Sequence, residues 1–154
     1  MRRQSVLILA CVLALANAVQ AAPLDAKTIQ IVAKTFDFLS HKPAPGSKVV
    51  VVAGSADPAA VQTALSKMSV SAGKVSDAAG AFAIFVNSPE EAKAARDANA
   101  GIFTIGGDLG CVTSGSCLMA VETQPKVTIY VSRAAAQASG IEFDPNFKML
   151  ITEK

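Results

Sequence analysis

The stretch KVVVVAGSADPAAVQTALSKM, residues 48–68, decides the fold. Its Val49–Val52 run is continuous and β-branched, which is typical of a strand covered on both faces. Gly54 and Ser55 turn the chain, and Asp57, followed directly by proline, is the pattern that begins a helix. The stretch therefore predicts a strand, a glycine turn and a helix, which together are one unit of a parallel α/β fold.

The same pattern recurs further along the chain. Residues 80–87 (GAFAIFVN) predict a buried strand, and Ser88 with Glu91 three positions later is a helix-start signal. Residues 101–106 (GIFTIG) predict another short buried strand, and residues 69–75 a weak edge strand. Two strand–helix units in series argue for a parallel sheet at the core.

The segment before this core, Leu24 to Ser40, predicts a helix. Its apolar stripe consists of Ile29, Val32, Phe36 and Leu39. Ile31 and Phe38 lie off that stripe. Two interpretations stay open: the helix packs on two sides, or a second face contacts a partner, with Ile31 and Phe38 as the candidate partner-binding residues.

The chain changes character after the predicted strand at residues 101–106. Residues 118–123 and 126–131 predict two strands joined by a short turn, with the alternation of a half-exposed strand in the second. A short helix within 132–140 and a partly helical tail follow. The predicted fold class is α/β: a single, three-layer-like domain whose mixed sheet has a parallel core and a C-terminal antiparallel hairpin.

The N-terminus predicts export. Arg2 and Arg3 precede an apolar run from Ser5 to Val19, and small residues follow at the positions that signal peptidase recognises. The pattern is that of a cleaved secretory signal peptide over residues 1–21, which leaves residues 22–154 as one α/β domain. A membrane anchor is the alternative, but the run is shorter than the roughly 20 residues that a spanning helix needs.

The composition excludes several functions. Without Arg2 and Arg3 the chain carries 12 basic and 12 acidic residues, so it has no basic excess for nucleic acid. It has no tryptophan, and Tyr130 is its only tyrosine, which leaves few side chains on which bases could stack. We therefore expect no nucleic-acid partner.

Two cysteines remain after the predicted signal peptide, which contains Cys11. Cys111 and Cys117 are an even pair, six positions apart, in an oxidising compartment, and most simply form one disulfide. A loop this small stabilises the fold by roughly 2 to 2.5 kcal/mol. A zinc site would need more ligands than the distant His41, and the spacing is not the C-x-x-C of thiol oxidoreductases. Whether the disulfide is structural or regulatory stays open.

No catalytic motif is recognisable in the sequence. It contains no G-x-S-x-G elbow, dinucleotide fingerprint or P-loop, so we expect no enzyme, no metal and no cofactor. Loops after parallel strands gather at one edge of a sheet, which makes Gly54, Ser55 and Asp108 a candidate loop site. A single-domain periplasmic protein that binds small solutes is therefore the alternative function.

The segment GIFTIGGDLGCVTSGSCLMAVETQPKVTIYVSRAAAQASGIEF resembles the YfiR-like family of small periplasmic proteins. The matching pieces are Phe103 to Gly106, Gly115 to Ala120, Lys126 to Ser132, Ala134 to Gly140, and the chain from Ile141 onward. The opening segment, with FDFL, and the first strand, ending in glycine and DP, are compatible with the family. The resemblance covers nearly the whole of the chain after residue 21, motif by motif.

The resemblance implies regulation without catalysis. YfiR-like proteins bind the periplasmic sensor domain of an inner-membrane diguanylate cyclase, hold the cyclase inactive and keep cyclic di-GMP low. Cys111 and Cys117 match the family's cysteine-bracketed loop, so the resemblance also implies a disulfide-supported, redox-sensitive inhibitory form. The chain departs from the family after the opening helix, at Ser132 and in the tail, which bears on the identity of the partner. Whether the protein forms a homodimer stays open.

Overall fold

The computed structural model describes residues 22–154, so the predicted signal peptide lies outside the described residues. The helices are α1 (Ala26–Thr35), α2 (Pro58–Ala64), α3 (Pro89–Ala98), α4 (Leu109–Thr113), α5 (Arg133–Ser139) and α6 (Pro145–Lys148). The strands are β1 (Lys48–Val52), β2 (Ser69–Gly73), β3 (Ala83–Phe85), β4 (Phe103–Ile105), β5 (Met119–Glu122), β6 (Thr128–Val131) and β7 (Ile151–Glu153). Short 3₁₀ turns cover Phe36–Phe38 and Val75–Ala78. In this described part, no helix is long and apolar enough to cross a membrane.

The strands form one seven-stranded sheet in the order β2-β1-β3-β4-β5-β6-β7. The first five strands in this order pair in parallel, and β6 pairs antiparallel to β5. The predicted α/β class, with its parallel core and C-terminal antiparallel hairpin, is confirmed. The sequence did not predict β7, which pairs in parallel with β6 and extends the sheet by one strand.

Helices cover both faces of the sheet, which makes the domain three-layered. On one face α1, α2, α5 and α6 pack on a core that contains Val49 and Val51. On the other face α3 and α4 pack on a core that contains Val50 and Val52. All four valines of β1 are buried, as the continuous apolar run predicts. Each such side chain gains about 1.5 to 3 kcal/mol on burial, so β1 anchors both cores.

The opening helix is shorter than the sequence predicts. α1 ends at Thr35, because the chain tightens into a 3₁₀ turn, and Leu39 leaves that turn as extended backbone that bridges to Phe143. At the other end, Leu24 forms a bridge to Ala56. The predicted stripe is nevertheless buried, since its members Ile29, Val32, Phe36 and Leu39 are all at most 5% exposed.

The segment that contains the cysteines is helical where the sequence predicted a loop. Asp108 is the N-cap of α4, and its carboxylate accepts the backbone N–H of Cys111 at 2.9 Å. The helix ends at Thr113, and the chain returns through Gly115, whose φ of +73° favours glycine. The short helix brings Cys111 within reach of Cys117, two residues before β5.

Candidate functional site

The turns after β1, β3 and β4 lie side by side at the carboxyl edge of the sheet. The Nδ2 of Asn87 donates to the carbonyl of Ala53 at 2.9 Å, and a Cβ on Gly54 would lie 3.4 Å from the Asn87 Oδ1. The N–H of Val86 donates to the carbonyl of Ile105 at 3.0 Å. The topology therefore brings together the three turns that the sequence singled out.

The side chains of the candidate loop site hold their own turns. Ser55 is 5% exposed, and its hydroxyl donates to the carbonyl of Val52 at 2.6 Å. Gly54 has a φ of +85°, which the turn after β1 requires. The Asp108 carboxylate is occupied by the N–H of Cys111. These residues therefore shape the edge, and neither polar side chain is free of a bond within its turn.

The start of α3 adds a second set of satisfied groups at this edge. Ser88 accepts the N–H of Glu91 at 3.2 Å, as the predicted helix-start signal requires. The Glu91 carboxylate accepts the N–H of Asn87 at 2.7 Å, one residue earlier than in a standard capping box. The negative charge of this carboxylate stabilises the helix N-terminus, and the carboxylate already accepts a backbone hydrogen bond.

Cys111 and Cys117 form a disulfide, with their Cα atoms 5.0 Å apart. The two residues are 2% and 0% exposed and belong to the core on the α3–α4 face of the sheet. The N–H of Cys117 also donates to the carbonyl of Cys111 at 2.8 Å. The disulfide therefore joins α4 to the segment just before β5 inside the core, and a soluble reductant reaches it only when this region opens.

An exposed apolar patch lies where the opening helix meets the tail. We define it by Phe38, Met149 and Leu150, which are 39%, 78% and 68% exposed. The Phe38 ring stacks on the buried Phe147, with centroids 4.9 Å apart and planes 9° apart. The N–H of Asp144 donates to the Phe38 carbonyl at 2.7 Å, which ties the two segments together. The Phe147 ring and this hydrogen bond therefore hold Phe38 in a fixed position at the surface.

The two candidate partner-binding residues lie in different settings. Ile31 is half-buried and packs against the core on the α1 side. Phe38 lies beyond the end of α1, so the heptad spacing between the two residues does not place them on one helical face. Sequence reasoning missed Met149 and Leu150, although two large apolar residues in a short tail were the available signal.

Two clefts open at the amino edge of the parallel strands, opposite the candidate loop site. The first, of about 500 Å³, lies between the end of α1, the loop before β1 and the connection from α2 to β2. The second, of about 430 Å³, lies between α5, the segment 140–143 and β7. The paired side chains of Arg133 and Glu153 line the second cleft.

Among residues 22–154, Asp25 and Tyr130 have clearly shifted pKa values. The N–H of Thr28 donates to Asp25 at 2.7 Å and holds the pKa of that carboxyl below its usual value. Tyr130 donates to the Glu122 carboxylate at 3.0 Å, and this hydrogen bond raises the pKa of the phenol. The ammonium of Lys154 lies 5.8 Å from the centre of the Tyr130 ring. Both shifts follow from local structural contacts.

Across residues 22–154, no three His, Cys, Asp or Glu side chains gather as a metal-ligand set. Comparison with protein-family models gives no match for the chain. Comparison with curated proteins gives none either.

Proposed function

We propose that this protein is a periplasmic regulator that binds the periplasmic sensor domain of an inner-membrane diguanylate cyclase and represses the enzyme. The kind of partner comes from the resemblance to the YfiR-like family. Repression lowers cyclic di-GMP and requires no catalytic residues in the regulator. What the protein needs for this function is a stable fold and a surface that a partner covers.

The observation that carries a protein-binding function is the apolar patch. Phe38, Met149 and Leu150 expose large apolar side chains to water, and the free energy of the protein falls when another surface covers them. Phe38 is held by the stacked ring of Phe147, so little side-chain entropy is lost when a partner binds it. Aromatic residues and methionine are also enriched in interface cores.

The patch joins a stretch compatible with the family to one that departs from it. Phe38 lies in FDFL, just before the point where the family's Trp-Pro pair is absent, and Met149 and Leu150 lie in the divergent DPNFKMLI tail. The backbone bonds between residues 38–40 and 142–144 hold these segments side by side. The divergence of the tail favours a partner that is particular to this protein over one shared by the whole family.

The disulfide supports this function through the fold. It ties α4 to β5, and β5 pairs with the hairpin strand β6, on which β7 and the tail depend. Redox sensitivity of the regulator would act through this chain of contacts. We expect Cys111→Ser to weaken control of the cyclase, and unchanged control in an oxidising periplasm would remove the redox part of the proposal.

The test is affinity capture from solubilised inner membranes with the purified, oxidised protein, followed by mass spectrometry. The triple variant Phe38→Ser, Met149→Ser, Leu150→Ser removes the patch. Ala72→Ser is the control, because Ala72 is exposed on β2, at the edge of the sheet opposite β7 and the tail. We expect the wild type and the control, but not the triple variant, to capture a membrane protein with a cytoplasmic cyclase domain.

Cellular cyclic di-GMP gives the second readout. Expression of the wild type and of Ala72→Ser should lower it, and expression of the triple variant should not. Capture of no membrane protein by the wild type, repeated under cross-linking, would overturn the proposal.

Binding of a small solute at the carboxyl edge is the second candidate function. The sheet order favours it, since the turns after β1, β3 and β4 lie together. A ligand present at 100 times its dissociation constant stabilises a protein by about 2.7 kcal/mol, which a thermal-shift screen detects. A hit whose affinity falls on mutation of Asp108 would favour this function, and a flat screen would favour the regulator.

A further inference from the structure

The cleft beside the end of α1 has an apolar floor and a basic rim. We call it the lysine cleft. Its rim carries Lys34, Lys42 and Lys67, and its floor includes Phe36, Leu65 and Met68. Its volume of about 500 Å³ lies within the range of about 300 to 1,000 Å³ that is usual for small-molecule sites.

The walls of the lysine cleft are fixed by hydrogen bonds. Gln62 holds the connection from α2 to β2, because its amide donates to the carbonyls of Leu65 and Met68 at 3.3 and 3.0 Å. Its side-chain oxygen accepts the N–H of Val70 at 3.1 Å. The loop before β1 is tied to the same connection, since the N–H of Gly46 donates to the carbonyl of Lys67 at 2.7 Å. A ligand would therefore meet a preformed site, which lowers the entropic cost of binding.

The charge of the cleft is unbalanced. Asp37 is the one carboxylate among its lining residues, against three ammonium groups. Among residues 22–154, the ion pairs are Lys93 with Asp97 and Arg133 with Glu153, so none of the three lysines is paired. Lys34 also lies in the last turn of α1, where a cation is favoured by the helix dipole, but this accounts for only one of the three.

We propose that the lysine cleft binds a small organic anion with an apolar body, of the class of a medium-chain carboxylate. The carboxylate lies among the ammonium groups of the rim. The chain lies against Phe36, Leu65 and Met68, where burial of its apolar surface supplies the affinity. This site is separate from the apolar patch and does not depend on the proposed regulatory function.

The test is a titration of the purified, oxidised, ¹⁵N-labelled protein with decanoate, followed by NMR. We expect saturable shifts of backbone amides confined to residues 30–45 and 62–68, which form the cleft and its walls. Decyltrimethylammonium has a chain of the same length and a positive head, so it should cause no saturable shifts there. Shifts of equal size with both amphiphiles, or decanoate shifts centred elsewhere, would overturn the proposal.

Two triple variants separate the charge of the rim from the net charge of the protein. Lys34→Gln with Lys42→Gln and Lys67→Gln should weaken decanoate binding by about tenfold or more, because it removes every cation of the rim. Lys27→Gln with Lys93→Gln and Lys126→Gln removes the same number of exposed lysines elsewhere and should change the affinity by less than about twofold. Equal weakening of decanoate binding by the two triple variants would mean that net charge causes the effect, and it would overturn the proposed site.

A cleft-filling variant keeps the proposal testable if the lysine variant folds poorly. Ala64→Phe adds a ring at the lining of the cleft without changing charge, and it should abolish the decanoate shifts. Retained binding in a folded Ala64→Phe protein would overturn the proposal. Binding to phosphatidylglycerol vesicles without saturable binding of decanoate would also overturn it, since the lysines would then serve a membrane surface.

Discussion

Gly106 faces the sulfur of Cys117 so closely that a Cβ built on Gly106 would lie 2.5 Å from that Sγ. The same Cβ would lie 3.2 Å from the Cys111 Sγ. The N–H of Gly106 donates to the carbonyl of Met119 at 2.9 Å, so the glycine cannot move away without loss of a sheet bond. The requirement for glycine after β4 therefore comes from the buried disulfide that packs on it.

We expect Gly106→Ala to lower the free energy of unfolding by about 1 to 3 kcal/mol, because the added methyl group overpacks a buried site. Chemical denaturation of the oxidised protein measures this. Gly101→Ala is the matched control, since its new Cβ would have no neighbour closer than 3.9 Å, and its effect should stay within about 0.5 kcal/mol. Equal effects of the two substitutions would contradict the packing argument.

Removal of the disulfide should cost about 2 to 2.5 kcal/mol, because the bond closes a small loop in the unfolded chain. Denaturation of the wild type with and without reductant, followed by circular dichroism, gives the value. Replacement of Cys111 and Cys117 by alanine also removes two buried sulfur atoms and should cost more. The variant should still fold, since the two hydrophobic cores involve most of the sheet. Reductant should destabilise the wild type and leave the variant unchanged; a variant that responds to reductant would point to another cause.

The cap of α1 should depend on pH. The hydrogen bond from the N–H of Thr28 lowers the pKa of Asp25 in the folded protein, so this stabilisation is present above the usual pKa of 3.8. It is lost as the pH falls through the lower folded value. Asp25→Ala should cost about 0.5 to 2 kcal/mol at pH 7 and less at pH 3, measured as the difference in unfolding free energy from the wild type.

Asp25→Asn separates the charge from the cap. Asparagine is also a good N-cap, so this variant should lose only the pH-dependent part of the stability. A deficit of Asp25→Ala that is the same at both pH values would show that the carboxylate charge contributes nothing.

We expect the stability of the connection from α2 to β2 to depend on Gln62. Gln62→Ala leaves the carbonyl of Met68 and the N–H of Val70 without this partner, whereas the Leu65 carbonyl keeps the N–H of Met68, and we expect a loss of about 1 to 3 kcal/mol. Amide hydrogen exchange at Val70 should accelerate more than at Val50 in the neighbouring β1. Gln137→Ala, on the exposed side of α5, is the control and should change neither stability nor exchange at Val70.

The apolar patch should contribute little to stability. Met149→Ser with Leu150→Ser should change the unfolding free energy by about 0.5 kcal/mol or less, since both side chains are mainly in water. Phe147→Ala should cost about 3 to 5 kcal/mol, because this ring is buried beneath Phe38. A large loss with the serine variant would mean that the patch belongs to the core and would remove the main support for a binding surface.

The sequence predicted most elements of the fold but only part of the candidate site. Phe38 was found because it lies off the apolar stripe of the opening helix. Met149 and Leu150 were missed because their exposure depends on β7, which is three residues long and exists only through its pairing with β6. Asp108 was recognised as a possible site residue, but in the structure its carboxylate caps the short helix α4 by accepting the N–H of Cys111.

By itself the sequence determined the α/β class, the two-sided burial of β1, the capped helices and the cysteine pair. These follow from local patterns, because β-branched runs, N-cap residues and short cysteine spacings act within a few positions of the chain. Only the tertiary structure decided the order of the strands, the burial of the disulfide against Gly106 and the meeting of Phe38 with Phe147. Such contacts join residues that are far apart in the chain, and burial of apolar surface selects them without leaving a local pattern to recognise.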